Sequence, residues 1–364
     1  MNILLINWQD WLNPYAGGAE VYLYEVFSRL IKKGHRVILL CSCAPGQNRY
    51  EKLDGFEIYR LGNRQNFNFF VGSALRSILR HQNVDIIIDD LNKIPFYSPV
   101  FTRKKVLPIV MHIFRSSIYR ETNPFFASYV FFTERLIPFF YPGSNFVAIS
   151  KSTAQDLREI GVGGRINVVH SGIPEIPELK DVLRVDNLVV YVGRVKRYKS
   201  IEHFIQAIKL IKRNKEVMAK IVGDGDALTY LKEFANKLGV CVEFSGYVKD
   251  REKYRIYKSA RVVVQPSVKE GWGLTAIEAQ ACGTPVVCAD SPGLREAVVH
   301  NKTGFLYAYG DIENFARKIL QLIDDNRLWQ NFSLAARQWA EQFSWDAAAE
   351  HIETILYQEL GYEN

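Results

Sequence analysis

The sequence predicts an α/β fold made of two Rossmann-like domains. Short runs of β-branched residues alternate with amphipathic segments, which is the pattern of parallel strands covered by helices. The 364 residues exceed what a single hydrophobic core usually holds. Residues 173–178 read Ile-Pro-Glu-Ile-Pro-Glu, and such closely spaced prolines favour a linker between the two domains.

The predicted strands fall into two sets, one on each side of this linker. They are nearly continuous apolar runs, which indicates sheets buried on both faces. In the first half they are 3–6, 37–40, 86–88, 106–110 and 146–149, and in the second half 188–191, 219–222, 242–244, 262–264 and 285–288. We therefore expect an N-terminal domain over residues 1–172 and a C-terminal domain over 179–344. Apolar residues at helical spacing from Trp345 to Leu360 predict a terminal amphipathic helix within 345–364.

The composition is that of a globular protein, 48% hydrophobic and 23% charged. The apolar start at 3–6 is too short for a secretory signal. The longest candidate membrane span, 124–140, is interrupted by Glu134, Arg135 and Pro138. The cysteines are odd in number and scattered, mostly in strand-like runs, so we interpret them as reduced core residues of a cytoplasmic protein.

The positive charge is concentrated in the first half of the chain. Residues 1–170 hold 20 Lys and Arg against 13 Asp and Glu, whereas residues 171–364 hold 26 of each. This asymmetry favours an anionic partner for the N-terminal domain, such as a phosphorylated lipid, a membrane surface or nucleic acid. A solvated basic face is the alternative.

Gly17 and Gly18 follow the first strand and begin a predicted helix that runs toward Lys33. Glycines at a helix N-terminus let backbone N–H groups approach an anion, and the helix dipole reinforces the attraction. A strand-to-helix turn that needs small residues would give the same pattern.

A basic run follows the strand 188–191. It reads Gly-Arg-Val-Lys-Arg-Tyr-Lys over 193–199, at the strand end where open α/β sheets bind ligands. Arg194 and Lys199 suit a diphosphate, the first as a planar fork and the second as a point charge. The alternative is a solvated basic loop.

The strongest local signal is the segment 265–278, which follows the strand 262–264 and opens a helix to about Ala281. Glu270 falls in the loop before this helix, and Glu278 falls one to two turns inside it. The backbone amides of Gly273, Leu274 and Thr275 lie between the two carboxylates and could hold a phosphate. This geometry fits a sugar at one end, a diphosphate in the middle and a ribose at the other.

Together these motifs resemble family 4 glycosyltransferases. Their order along the chain is that of the family, and further matching segments are 169–173 (Val-His-Ser-Gly-Ile), 222–225 (Val-Gly-Asp-Gly), 245–247 (Ser-Gly-Tyr) and 343–345 (Phe-Ser-Trp). The resemblance implies the GT-B fold, in which two Rossmann-like domains face each other across a cleft and the C-terminal helix returns to the first domain. It also implies retention of anomeric configuration, a nucleoside diphosphate sugar as donor, and no metal or other cofactor.

The resemblance assigns roles to individual residues. Arg194 and Lys199 would bind the donor diphosphate, Glu270 would contact the transferred sugar, and Glu278 would hold the ribose hydroxyls. His112, after the strand 106–110, would reach the donor sugar. The implied catalytic residues are thus His112, Glu270, Arg194 and Lys199. The implied donor-binding residues are Gly17, Gly18, Gly193, Arg194, Lys199, Gly223, Gly246, Tyr247, Glu270, Gly273, Leu274, Thr275 and Glu278.

We therefore predict a metal-independent hexosyltransferase with a hydroxyl acceptor, for which a lipid-linked or cell-surface glycan is one candidate. The reduced cysteines predict a cytoplasmic enzyme, and the basic first half favours peripheral contact with anionic lipid on the inner face of the cell membrane. Two other functions compete with this prediction. They are a sugar-nucleotide epimerase of the same architecture and a basic nucleic-acid-binding protein, although no nucleic-acid motif is recognisable.

Two further features are open to more than one interpretation. Asp89 and Asp90 resemble a metal-binding pair, but we interpret them as a strand-end loop or an acceptor-facing feature. Aromatic residues at helical spacing could touch lipid, although such spacing is more typical of a core face. They are Phe125, Tyr129, Phe132 and Phe140, spaced with Leu136, and Phe67, Phe69 and Phe70 upstream.

Overall fold

A computed structural model describes residues 1–92, 94–120 and 122–362. The chain divides into two compact units, Met1–Gly172 with Ser344–Asn364, and Ile173–Phe343, here called the N-terminal and C-terminal domains. Each is a largely parallel sheet with helices, so the predicted class of two Rossmann-like domains is confirmed. The last helix belongs to the N-terminal domain, where it packs on the first helix.

The N-terminal domain contains an eight-stranded sheet in the order β3-β4-β2-β1-β5-β6-β7-β8. Its strands are β1 (Asn2–Ile6), β2 (Arg36–Cys41), β3 (Tyr50–Leu53), β4 (Phe56–Arg60), β5 (Ile86–Leu91), β6 (Lys105–Val110), β7 (Phe146–Ala148) and β8 (Ile166–Val168). The pairings are parallel except that of β3 with β4. Its helices are α1 (Gly18–Lys32), α2 (Phe67–His81), α3 (Pro124–Arg135), α4 (Ile137–Phe140) and α5 (Lys151–Glu159), with 3₁₀ turns at Ser98–Val100 and Arg115–Arg120.

The C-terminal domain contains a six-stranded parallel sheet in the order β11-β10-β9-β12-β13-β14. Its strands are β9 (Val185–Val192), β10 (Met218–Val222), β11 (Glu243–Gly246), β12 (Ala260–Gln265), β13 (Val286–Ala289) and β14 (Gly304–Tyr307). Its helices are α6 (Ile201–Ile211), α7 (Leu228–Leu238), α8 (Asp250–Ser259), α9 (Leu274–Ala281), α10 (Leu294–Ala297), α11 (Ile312–Asp324) and α12 (Asn326–Ala340), with a 3₁₀ turn at Arg197–Lys199. The terminal helix of the N-terminal domain is α13 (Trp345–Leu360).

The central strands are buried along their whole length, as their unbroken apolar runs predict. Every residue of β5 and of β12 is buried. In the C-terminal domain, strand residues such as Val189 and Val264 pack with Phe204 and Ile208 of α6 in one hydrophobic cluster. Helices and neighbouring strands thus cover these sheets, and several of the predicted site residues follow the carboxyl ends of their strands.

Two interpretations from the sequence are wrong. Asp89 and Asp90 do not form a strand-end loop, because both lie inside β5 and are fully buried. The aromatic stripe on α3 and α4 is not a core face, because its aromatic side chains are exposed. Upstream, Phe67 is buried, whereas Phe69 and Phe70 are exposed. Among the described residues, no helix is both long and apolar enough to cross a bilayer.

Candidate active site

The sheet of the C-terminal domain places two of the predicted motifs beside each other. The chain starts at β9, adds β10 and β11 on one side, and then crosses to β12 on the other side, so the strand order reverses between β9 and β12. Ligands of open α/β sheets bind at such a switch point, outside the carboxyl ends of the strands. The loops that follow β9 and β12 are the segments 193–199 and 266–273.

Direct hydrogen bonds tie these two loops together. The side-chain amide of Gln265 donates to the carbonyl of Val192 at 2.8 Å. The backbone N–H of Val268 donates to the carbonyl of Tyr198 at 3.2 Å. The two loops therefore form one structural unit at the switch point.

Three of the predicted glycines hold the adjacent strand ends close together. The N–H of Gly193 donates to the carbonyl of Val222 at 3.0 Å, and the N–H of Gly223 donates to the carbonyl of Gly246 at 2.7 Å. Gly223 has φ +129°, and a Cβ atom there would lie 1.9 Å from the carbonyl oxygen of Gly193. Glycine is thus required at Gly223 by the backbone itself, whether or not a donor is bound. Tyr247, the next residue after β11, is exposed.

Lys199 and Glu270 form an ion pair that bridges the two loops. The Nζ atom of Lys199 lies 2.5 Å from Oε1 of Glu270, and the lysine is only 8% exposed. Glu270 is itself fixed, because its N–H donates to the carbonyl of Pro292 at 3.0 Å. Burial lowers the pKa of Lys199, but the neighbouring Glu270 and Tyr198 outweigh it, and the net pKa is raised. The ammonium is therefore charged at neutral pH.

Arg194 lies on the same loop and is exposed. Its guanidinium donates to the hydroxyl of Tyr198 at 3.1 Å, and its carbonyl accepts from the hydroxyl of Tyr191 at 2.9 Å. Arg194 and Lys199 thus present two cations from one short segment, one at the surface and one beneath it.

The N-terminus of α9 lies at the end of the second loop. Its first intrahelical hydrogen bond is donated by Ala276 to the carbonyl of Gly273 at 2.9 Å, so the amides of Gly273, Leu274 and Thr275 precede the helical ladder. Gly273 has φ +91°, and a Cβ there would approach Leu294 to 3.0 Å, so a side chain would be strained. These amides and the helix dipole together favour an anion.

Glu278 lies inside α9, one to two turns beyond these amides, and is 3% exposed. Its Oε1 atom accepts from Nζ of Lys253 at 2.9 Å and from the hydroxyl of Tyr254 at 3.3 Å, and its Oε2 atom accepts from the hydroxyl of Tyr257 at 3.1 Å. All three donors come from α8, and none of them is among the predicted site residues. Their shared signal was the i, i+3 spacing of the two tyrosines beside a lysine on an amphipathic helix.

The remaining predicted residues belong to the N-terminal domain. Gly17 caps α1 and donates its N–H to the carboxylate of Glu20 at 2.7 Å, a contact that the Gly-x-x-Glu spacing could have revealed. Gly18 is the first residue of α1, and a Cβ there would meet nothing within 4 Å. His112 follows β6, half-buried, with its ring edge-on to Phe114 at 4.5 Å between centroids. His112 thus lies two residues beyond β6, whereas Gly17 and Gly18 follow β1 after the segment 7–16.

The two buried aspartates of β5 have different surroundings. Asp89 accepts from the Tyr141 hydroxyl at 2.5 Å and from the Ser98 N–H at 3.2 Å. Burial raises its pKa to about 6. Neither carboxylate oxygen of Asp90 has a hydrogen-bond partner among the described residues, and burial, then Glu20 and Asp89, raise its pKa well above the usual range. Across residues 1–92, 94–120 and 122–362, no group of three or more His, Cys, Asp or Glu could hold a metal ion.

Two family models match consecutive halves of the chain. Residues 16–175 match the model described as Glycosyltransferase Family 4, and residues 176–339 match that of the glycosyl transferases group 1. The chain belongs to glycosyltransferase family 4. The boundary between the two matches falls in the linker between the domains.

One curated relative illustrates how much of this family 4 glycosyltransferase is matched in sequence. A D-inositol 3-phosphate glycosyltransferase of Corynebacterium diphtheriae is 33% identical over 177 residues, which are 46% of this chain and 42% of that enzyme. The match thus spans less than half of that relative's length.

Solved structures cover the whole glycosyltransferase chain. Sucrose-phosphate synthase from Thermosynechococcus elongatus superposes with a TM-score of 0.79 at 21% identity, over 100% of both chains. Anabaena HepE, solved in complex with UDP-glucose, superposes with a TM-score of 0.73 at 19% identity, over 98% of this chain and 100% of the other. At these identities the likeness shows the fold, which confirms the GT-B class.

Proposed function

We propose that the enzyme transfers a hexosyl group from a nucleoside diphosphate sugar to an acceptor hydroxyl, with retention of configuration and without a metal. The observation that carries this proposal is the Lys199–Glu270 ion pair, which bridges the two switch-point loops just before the N-terminus of α9. One cation, one carboxylate and a set of backbone amides are thereby collected at one strand edge. HepE, of the same fold, is solved with UDP-glucose, which supports a nucleotide sugar as donor.

The donor diphosphate is assigned to the cations and the helix terminus. Lys199 supplies a partly desolvated ammonium, and Arg194 supplies an exposed, planar guanidinium. The amides of Gly273, Leu274 and Thr275 supply the positive end of a helix. The sugar is assigned to Glu270, which precedes the helix, and the ribose to Glu278, which lies within it. The segments around Gly193, Gly223, Gly246 and Tyr247 border the same strand edge.

During transfer, the bond between the anomeric carbon and the β-phosphate oxygen breaks, and a bond forms to the acceptor oxygen. Negative charge develops on the leaving diphosphate, so its stabilisation is the principal electrostatic task. Lys199, Arg194 and the α9 amides supply that stabilisation. In the same-face reaction that we favour, the departing phosphate oxygen takes the acceptor proton, and Glu270 positions the sugar and stabilises its developing positive charge.

Ligand binding tests this assignment most directly. Nucleoside diphosphates and their sugars should raise the melting temperature of the enzyme, because they bind the folded state. Lys199→Met should abolish the effect. Lys196→Met should preserve it, because Lys196 lies on the same loop but pairs with Asp226 at 2.6 Å near the surface. If both variants, or neither of them, lost stabilisation by nucleoside diphosphates, the assignment of Lys199 to the diphosphate would be contradicted.

The stereochemistry and the class of reaction are tested with the substrate. The anomeric configuration of the product, read by NMR coupling constants, should match that of the donor. Donor incubated alone should not convert to an epimer, and full conversion would establish an epimerase instead. A salt-sensitive gel shift with nucleic acid would favour the nucleic-acid-binding alternative.

The acceptor is proposed to be a lipid-linked or cell-surface glycan, reached by an enzyme of the cytoplasm at the inner face of the membrane. Positions 1–170 hold 20 basic and 13 acidic residues. This excess of basic residues supports an anionic surface as the partner of the N-terminal domain. An acceptor screen comparing water-soluble glycans with lipid-linked ones tests this part separately from the donor chemistry.

A further inference from the structure

Helices α3 and α4 expose large aromatic side chains. Phe125 is 82% exposed, Phe132 62% and Phe139 75%. The inward-facing residues of the same segment are few, and include Ala127 and Ile137. Such a grouped exposure of rings is unusual on a protein surface, and it marks a site of interaction. We call this surface the aromatic face; its exposed residues are Phe125, Phe126, Tyr129, Phe132, Phe139 and Phe140.

The aromatic face continues onto a neighbouring turn. The ring of Tyr97 packs on that of Phe140 at 4.7 Å, and its hydroxyl donates to the carbonyl of Thr133 at 2.8 Å. Tyr97 directly precedes the 3₁₀ turn Ser98–Val100, in which Val100 is exposed. These contacts hold the short helices against the domain, so the exposed rings are carried by a fixed scaffold.

Within 124–140 and the neighbouring segment 103–105, the exposed charged residues are all basic. Within residues 124–140 the only acidic residue is Glu134, which is buried and accepts from the N–H groups of Phe114 and Arg115 at 2.7 and 2.8 Å. Arg135 is exposed and stacks on Phe131 at 4.9 Å. Residues 103–105, Arg-Lys-Lys, are also exposed and begin three residues after Val100, which is at most about 11 Å of extended chain.

We propose that the aromatic face docks on a lipid bilayer that contains anionic phospholipid. Exposed Phe side chains on a surface helix insert at the boundary between lipid headgroups and acyl chains, and nearby Lys and Arg are attracted to acidic lipid. The absence of an exposed carboxylate from 124–140, which the structure describes in full, gives this face charge complementarity to such a surface. The inference deepens the proposed location of the enzyme and is independent of its donor chemistry.

Vesicle flotation of the full chain tests the proposal. The wild type is compared on phosphatidylcholine vesicles and on vesicles in which part of that lipid is replaced by phosphatidylglycerol. The variant Phe125→Ser with Phe132→Ser and Phe139→Ser should lower the bound fraction on acidic vesicles at least about tenfold, since each ring loses the benefit of partial burial. Replacing Arg103, Lys104 and Lys105 by Gln should instead reduce the preference for acidic over neutral vesicles.

A matched control keeps the number of lost apolar side chains similar. Leu183 and Leu334, 84% and 62% exposed, lie in the C-terminal domain, and their replacement by Ser should leave flotation unchanged. Melting temperature and nucleoside diphosphate binding, measured without vesicles, should be the same in all variants. A failure of nucleotide binding in the wild type would therefore contradict the proposed function and leave the docking surface standing.

Three results would overturn the docking surface. The wild type fails to float with acidic vesicles, the triple Phe variant floats as well as the wild type, or the control variant loses flotation equally. A fourth result would overturn it as well: the wild type is a dimer in analytical ultracentrifugation, the triple Phe variant is a monomer, and neither protein binds vesicles. The aromatic face would then join two copies of the chain.

Discussion

Replacing Glu270 by Gln should tighten the binding of free nucleoside diphosphate while slowing transfer. The substitution keeps the shape of the side chain but removes the charge that lies 2.5 Å from Nζ of Lys199. Because Lys199 is 8% exposed, its ammonium is left with little solvent in place of its partner. The free enzyme is therefore destabilised, whereas the complex is not, since the diphosphate brings its own negative charge to the same ammonium.

The size of the effect follows from the lost charged hydrogen bond. Such a bond contributes about 1.5–3 kcal/mol. The free variant lacks it and the bound diphosphate replaces it, so the dissociation constant of the diphosphate should fall roughly tenfold to a hundredfold. The melting temperature of the free variant should fall and be restored by the diphosphate. Turnover should fall as well, because Glu270 no longer stabilises the charge that develops on the sugar.

Isothermal titration with a panel of nucleoside diphosphates measures the affinity, and Asp226→Asn is the matched control. Asp226 pairs with Lys196 on the same loop, but both side chains are well exposed, so its loss should leave affinity nearly unchanged. Unchanged or weaker diphosphate binding by Glu270→Gln would refute the reasoning. If Asp226→Asn tightened diphosphate binding equally, the change in net charge alone would explain the effect.

Three further outcomes are expected. Lys253→Met should lower the melting temperature and weaken both nucleotide sugar and free diphosphate, because Glu278 loses the cation that fixes it; calorimetry that finds only the stability loss would make Glu278 purely structural. His112→Ala should reduce kcat with little change in diphosphate affinity, and a variant with full turnover would remove His112 from the catalytic residues. Activity should survive EDTA, since the donor phosphates are assigned to Lys199, Arg194 and helix amides; loss of activity restored by Mg²⁺ or Mn²⁺ would contradict a metal-free reaction.

The strands of both sheets were predictable because their apolar runs are unbroken. Every predicted strand is present, and α13 spans the predicted Trp345–Leu360. The missed strands are β3, β4, β8 and β14. Two of them lie at the edges of the N-terminal sheet and carry weak patterns, since β3 has no buried residue and β8 is only partly buried throughout. Such edge strands are defined by pairing with a neighbour, which a local pattern does not encode.

The aromatic stripe was misjudged for a related reason. Helical spacing of Phe125, Tyr129, Phe132 and Phe140 identifies an apolar face, but it does not say what covers that face. In the structure the small inward residue Ala127 takes the core side of α3, and the rings face outward. The buried Asp89 and Asp90 show the converse, since their charge predicted a loop whereas β5 continues through them to Leu91.

The surroundings of Glu278 could not be inferred from its own motif, and they change what its assignment requires. A carboxylate offers about four acceptor positions, and Lys253, Tyr254 and Tyr257 fill three of them. Oε2 therefore has room for one ribose hydroxyl, while the second hydroxyl would have to displace a donor from Oε1 or bind elsewhere. The longer of the two Oε1 contacts is that of Tyr254, at 3.3 Å against 2.9 Å for Lys253, so the tyrosine is the donor most easily displaced. The ribose assignment thus makes Tyr254 a competitor for the ligand and Lys253 a support, although both contact the same oxygen.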